Sequence, residues 1–221
     1  DKLFKSGNSE RYNEIVKKSV ERTFLFWEKK GMVFLEPAWA ATKQKILELL
    51  RIFILNEEKE FPEHEIKAME TLFVYKDENL KAILKGKIDR ISQKDGWHAI
   101  IDYKKKNRVK KKEVLGDPES ALTPSSYQIP FYVYLAELNG LSVKSASYYD
   151  IENAAYTHVF HNTAPKAWAD RRKMDELAVF LKGEIDSMVK NIREGNYQSP
   201  SAEQRCEACN FRTVCRRKFS L

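Results

Sequence analysis

The sequence predicts a mixed α/β sandwich, a sheet flanked by helices, and three observations carry that expectation. Apolar residues recur at helical spacing near both ends of the chain. A turn signal joins two runs rich in β-branched and aromatic residues in the middle. A second pair of alternating runs follows an intervening helix.

Taken in order, Ile15, Val16, Val20, Phe24 and Trp27 place a helix over residues 8–30, and Ile46, Leu49, Leu50 and Phe53 place a second over 38–59. Residues 65–76 read as a mixed helix-to-strand segment. Residues 80–91 (LKAILKGKIDRI) and 97–103 (WHAIIDY) read as strands, and Lys94-Asp95-Gly96 between them signals a hairpin turn. Gln128-Ile129-Pro130-Phe131-Tyr132 opens an amphipathic helix running to about Leu138. Residues 143–150 and 155–160 alternate as two more strands around Glu152-Asn153, and a long helix from about Trp168 to Glu194 stops at Gly195.

A chain of 221 residues buries one good core, and no Pro/Gly/Ser-rich linker divides this one. The expected organisation is an N-terminal helical part over 1–60, a core over 61–198 and a cysteine-containing appendage over 199–221. No apolar run approaches the roughly 18 residues that span a bilayer, so no membrane partner is expected.

The chemistry concentrates in Gly86-Lys87-Ile88-Asp89 and Ile100-Ile101-Asp102-Tyr103-Lys104. Side chains of a strand alternate, so Asp102 and Lys104 share a face with Tyr103 on the other. Asp89 then needs only the hairpin register to come close. Two carboxylates at a strand end repel each other unless a cation lies between them, and hard oxygen ligands suit Mg²⁺ or Mn²⁺. A lysine beside that cation can orient a water or stabilise charge developing on a phosphate. A solvated Asp-x-Lys ion pair on an exposed strand is the competing explanation. The apolar run Ala99-Ile100-Ile101 before Asp102 instead reads as a buried strand that opens at its end.

Gly-x-Ile-Asp-Arg-Ile, Ile-Asp-Tyr-Lys, Gln-x-x-x-Tyr and Cys-x2-Cys-x5-Cys occur in this order over roughly residues 60–217. The ordered set resembles the RecB-like branch of the PD-(D/E)XK nuclease superfamily, which includes the RecB and AddB nuclease domains and the CRISPR-associated RecB-like exonucleases. The resemblance implies a restriction-endonuclease-like central mixed sheet flanked by helices, with Asp89 and Asp102 as metal ligands and Lys104 as the catalytic lysine. It implies that Gln128 and Tyr132, one helical turn apart, stand near the active site, and that the Tyr103 backbone carbonyl completes the metal shell. An ordinary helix turn with Tyr132 on the core is the alternative for that pair. Many members carry a histidine or acid on an early helix; no histidine occurs in the first 63 residues here, and Glu14 is the nearest substitute. Glu70, opening the apolar run TLFVY, matches another acid that the family often shows before its first strand, which the resemblance implies as support rather than as ligand.

Cys206, Cys209 and Cys215 form one cluster, and no secretion signal is evident, so a reducing, cytoplasmic compartment with metal ligation is expected. Zinc and iron-sulfur clusters normally take four protein ligands, so one is missing. In iron-sulfur members of the family the fourth cysteine lies well upstream. Since the chain starts at Asp1 rather than Met, the expectation is a fragment of a longer protein that carries a 4Fe-4S cluster. Buried thiols of a degenerate motif would also explain the trio.

The run from Lys104 to Lys112 begins at the Asp-x-Lys strand, and the chain carries a net charge of +7. Lys105, Lys106, Arg108, Lys110 and Lys111 are therefore candidate DNA contacts, with a solvated loop as the alternative. Tyr148, Tyr149, Tyr156 and Phe160 fit a core better than a base-stacking surface. The expected function is metal-dependent DNA cleavage, with the resemblance favouring exonuclease action in recombination, repair or a related pathway. A helicase subunit or an upstream helicase-like domain is the expected partner besides DNA. The competing class is a non-catalytic DNA-binding or scaffold domain of a helicase-nuclease complex.

Overall fold

The computed structural model describes residues 8–32, 35–117, 123–163 and 165–196. The cysteine cluster at 206–215 lies outside them. Two compact units divide the chain, Asp1–Leu181 and Lys182–Leu221. The first contains every element below except the last turns of a C-terminal helix; in the second, Lys190 and Glu194 form an exposed ion pair at 3.9 Å along that helix.

Two helices, α1 (Ser9–Lys29) and α2 (Glu36–Glu60), lead into β1 (Glu65–Asp77), β2 (Ala82–Lys94) and β3 (Trp97–Lys104). A short α3 (Lys111–Leu115) and α4 (Gln128–Leu138) follow, then β4 (Val143–Asp150), β5 (Ala155–His161) and α5 (Arg171–Arg193). The five-stranded sheet runs β1-β2-β3-β4-β5. All neighbours are antiparallel except β3 and β4, which pair in parallel and are joined by the α4 crossover. This is the mixed α/β sheet flanked by helices that the sequence predicts. No helix among the described residues is long and apolar enough to cross a membrane.

One element departs from expectation. Residues 65–76 form strand throughout, because nearly every residue finds a partner on β2, from Glu65↔Gln93 to Asp77↔Ala82. The helical character in that stretch yields to cross-strand pairing, which decides strand formation more than local preference does. The β2–β3 turn is as read: Asp95 (φ 49°) and Gly96 (φ 78°) are both left-handed, as a two-residue turn that matches the strand twist requires.

The sheet buries both faces. Ile88, Ile91, Ile100, Ala146, Tyr148 and Phe160 meet Ile129 and Val133 of α4 and Met174 and Leu177 of α5. Ala99, Ile101 and Tyr149 pack on the other face with Phe61 and Phe53. Tyr148, Tyr149 and Phe160 are core residues, at most 3% exposed. Helix α4 is less amphipathic than its sequence suggests, with Ile129, Pro130, Val133, Leu135 and Ala136 all buried.

Gly86 explains how closely α4 approaches β2. A Cβ there would lie 2.8 Å from Leu135 Cδ2, 3.3 Å from Phe131 Cε1 and 3.4 Å from Tyr132 Cε1. Gly86→Val is expected to lower stability by about 1–3 kcal/mol through overpacking. Gly86→Ala should cost less, since the nearest atom ends a flexible side chain. Urea unfolding of the two variants checks the order.

Where β4 ends, Asp150 gathers the loops at the strand ends. It accepts hydrogen bonds from Asn107 N (2.9 Å), Asn153 N (2.9 Å) and Asn153 Nδ2 (2.8 Å). Burial pushes its carboxyl up, but these donors outweigh it and hold the pKa below the ordinary value. The stabilisation is complete at neutral pH and is lost as pH falls through the depressed folded value. Asp150→Ala should therefore lower stability at neutral pH by about 2 kcal/mol. That difference should shrink as unfolding is repeated from about pH 7 down to about pH 3.

Candidate active site

The strands β2 and β3 stay paired from Lys94↔Trp97 to Arg90↔Ile101. Beyond that pair, the Tyr103 backbone N–H donates to Asp89 Oδ2 at 2.9 Å. Strand β2 also turns over at Asp89: Gly86 meets α4, whereas Arg90 reaches Glu57 of α2 on the opposite face. Asp89 is half-buried at this reversal. A strand residue points its N–H and C=O to the same side, so the Tyr103 carbonyl opens toward Asp89 as well.

On the α4 face, Asp102 is 1% exposed. Its Oδ1 accepts from Gln128 Nε2 at 2.7 Å, and its Oδ2 faces Lys104 Nζ at 2.8 Å. Apart from that ion pair, no hydrogen bond reaches the buried Oδ2. Lys104 Nζ also donates to Gln128 Oε1 at 2.6 Å, so the amide bridges the acid and the amine. Tyr132 OH lies 3.3 Å from Gln128 Nε2, which joins the pair one helical turn apart. The structure thus brings together Asp89, Asp102, Tyr103, Lys104, Gln128 and Tyr132. Burial pushes the Asp102 carboxyl above the ordinary carboxylate range; Lys104 draws it down, and the charge of Asp89 adds to the upward push.

The residues present fit a divalent cation. Asp102 contributes a buried oxygen whose partner is the Lys104 ammonium alone, Asp89 a second carboxylate, and Tyr103 a carbonyl, all hard oxygen donors. Among the described residues no group of three or more His, Cys, Asp and Glu side chains gathers as a metal cage. Glu14 is exposed on α1 and belongs to no such group. Glu70 (φ 50°) stands exposed on β1 and pairs with Lys87. Lys105, Lys106, Arg108, Lys110 and Lys111 are exposed where β3 runs out. Lys104 O and Lys105 O accept Ile151 N (2.9 Å) and Glu152 N (3.0 Å), which anchors the start of that basic stretch.

Sequence reasoning missed Glu57. It is 0% exposed and holds Arg90, 3% exposed, through Nη2–Oε2 at 2.6 Å. Arg90 was visible as a cation inside an apolar strand, but its partner sat in a helix end, Glu57-Glu58-Lys59-Glu60, that reads as solvated. A separate apolar cavity of about 330 Å³ on that face is lined by Leu49, Leu50, Phe53, Tyr103, Tyr149 and others.

A family model described as the PD-(D/E)XK nuclease superfamily matches residues 4–216. No curated protein and no solved structure matches the chain. Gln128→Ala removes the amide that bridges Asp102 and Lys104, and is expected to lower stability by about 1–3 kcal/mol. A shift of the urea midpoint at unchanged slope is the measurement.

Proposed function

Because the chain belongs to the PD-(D/E)XK nuclease superfamily, we propose that it hydrolyses DNA phosphodiester bonds with Mg²⁺ or Mn²⁺ at the Asp89–Asp102–Lys104 site. The observation that carries this reading is the buried Asp102 Oδ2, which faces the Lys104 ammonium and has no hydrogen bond to satisfy it otherwise. Asp89, Asp102 and the Tyr103 carbonyl would hold the ion. When bound, the cation supplies charge that polarises the phosphate and lowers the pKa of a water.

The chain's own residues do the rest. Lys104 orients the attacking water or steadies charge on the phosphate. Gln128 fixes Lys104 and Asp102 relative to each other, and Tyr132 braces Gln128. Lys105, Lys106, Arg108, Lys110 and Lys111 supply phosphate contacts next to the site, which makes binding weaken with salt. Exonuclease action in recombination or repair, within the RecB-like branch and with a helicase partner, extends this proposal by family resemblance. The same holds for a helical part at 1–60, a core at 61–198 and a cysteine segment at 199–221. A 4Fe-4S cluster on Cys206, Cys209 and Cys215 belongs to that extension too. Iron and sulfide analysis of anaerobically purified protein tests it, and iron-free fresh material ends it.

A scaffold domain that keeps the fold without chemistry is the second reading, favoured by the lack of a third acid near Asp89 and Asp102 among the described residues. Cleavage of labelled single- and double-stranded DNA separates the two. Activity should require Mn²⁺ or Mg²⁺, vanish with chelator, and fall by about a hundredfold or more in Asp102→Ala and Lys104→Ala while both remain folded. Wild-type cutting by either variant would end the proposal.

A further inference from the structure

The face of β2 and β3 turned away from α4 carries a second polar network, directly behind the site. Arg90 follows Asp89 in sequence, and Tyr103 lies between Asp102 and Lys104, yet both side chains point toward α2. Arg90 Nη2 donates to Glu57 Oε2 at 2.6 Å, Nε to Ser92 Oγ at 2.9 Å, and Nη1 to Tyr103 OH at 3.2 Å. Tyr156 OH donates to the other Glu57 oxygen. The guanidinium carbon lies 5.7 Å from the Phe61 ring centroid.

We infer that Arg90, clamped by Glu57 and Tyr103, is a positioning residue that sets the aim of the Asp89 carboxylate toward the metal. The inference rests on the metal role proposed for Asp89 and Asp102.

Three observations support it. First, Asp89 sits at a reversal of β2, where the β3 ladder has ended and the β1 register passes over it between Met69↔Arg90 and Thr71↔Ile88. Ile88 is pinned in the core on one side, and Arg90 must be pinned on the other for the intervening residue to hold one direction. Second, the contacts close a ring. Asp89 is bonded covalently to Arg90, Arg90 bonds the Tyr103 hydroxyl, and the Tyr103 N–H returns to Asp89 Oδ2 at 2.9 Å. A closed ring fixes a carboxylate's direction as a single bond does not. Third, packing alone does not call for charge here. Buried ion pairs are commonly replaceable by apolar side chains without loss of stability, because burial desolvates both ions. Groups that support metal ligands in this way typically change metal affinity by 10–100-fold when removed.

The test reads Mn²⁺ binding to the purified full chain by electron paramagnetic resonance, alongside DNA cleavage and thermal unfolding. Tyr103→Phe deletes only the hydroxyl and leaves the ion pair and the backbone N–H in place. Glu57→Leu combined with Arg90→Met replaces the charges by apolar side chains of similar size. Tyr103→Phe should weaken Mn²⁺ binding about threefold, and the double variant about tenfold or more, with cleavage recovering at high Mn²⁺. Arg90→Lys should restore part of the affinity lost in Arg90→Met. If Tyr103→Phe and any folded double variant both bind Mn²⁺ as the wild type does, the positioning role is wrong. Should the double variant fail to fold, Tyr103→Phe decides alone. Asp102→Ala is the control for the underlying reading. If it binds Mn²⁺ as well as the wild type, the metal site itself has been misplaced, whatever the network does.

Discussion

The hydrogen bond from Tyr103 N–H to Asp89 Oδ2 is the contact on which the site's arrangement depends. In an unbroken antiparallel ladder that N–H would meet a backbone carbonyl of β2. Here a side chain takes it, and the two strands part without leaving a buried donor unpaired. The parting opens the end of β3 and leaves the Tyr103 carbonyl facing the same gap. It also allows two carboxylates to stand near one another at a sheet end. The site is thus a break in a sheet whose hydrogen bonds have been reassigned.

Helix α4 completes that arrangement from one side. Its approach is possible because β2 carries Gly86 where Phe131, Tyr132 and Leu135 press against the strand. That contact brings Gln128 within bonding distance of both Asp102 and Lys104. A packing constraint in the sheet thereby fixes a polar constraint at the site. On the other face, α2 presents Glu57 to Arg90. The two strands are held between an amide in front and a buried ion pair behind.

Much of this was legible in the sequence because its signals are local. The Asp95-Gly96 turn fixes the hairpin, alternation puts Asp102 and Lys104 on one face, and the four-residue spacing puts Gln128 and Tyr132 on one side of a helix. Residues 65–76 were misread as partly helical because their strand identity comes from pairing with β2, the next strand along the chain, and not from their own pattern. Glu57 was invisible for a related reason: nothing in a helix end rich in Glu and Lys distinguishes a buried acid from solvated ones. The face reversal at Asp89 could not be read either, since regular alternation would have put Arg90 on the side of Ile88. Long-range pairing and local irregularity, the two things that periodicity does not encode, account for what was missed.

The topology also divides the site between local and non-local contacts. Asp89, Asp102 and Lys104 lie on one hairpin, whose closure needs a two-residue turn and belongs to events of about 1–10 μs. Gln128 arrives by another route: the chain must cross over through α4 and lay β4 beside β3 in parallel, with Asp102 opposite Tyr148. Such non-local pairing pays its loop-closure entropy before any contact repays it and is correspondingly slow. The carboxylates and the amine are thus joined by a local hairpin, whereas the amide that organises them comes from a helix more than twenty residues further along the chain.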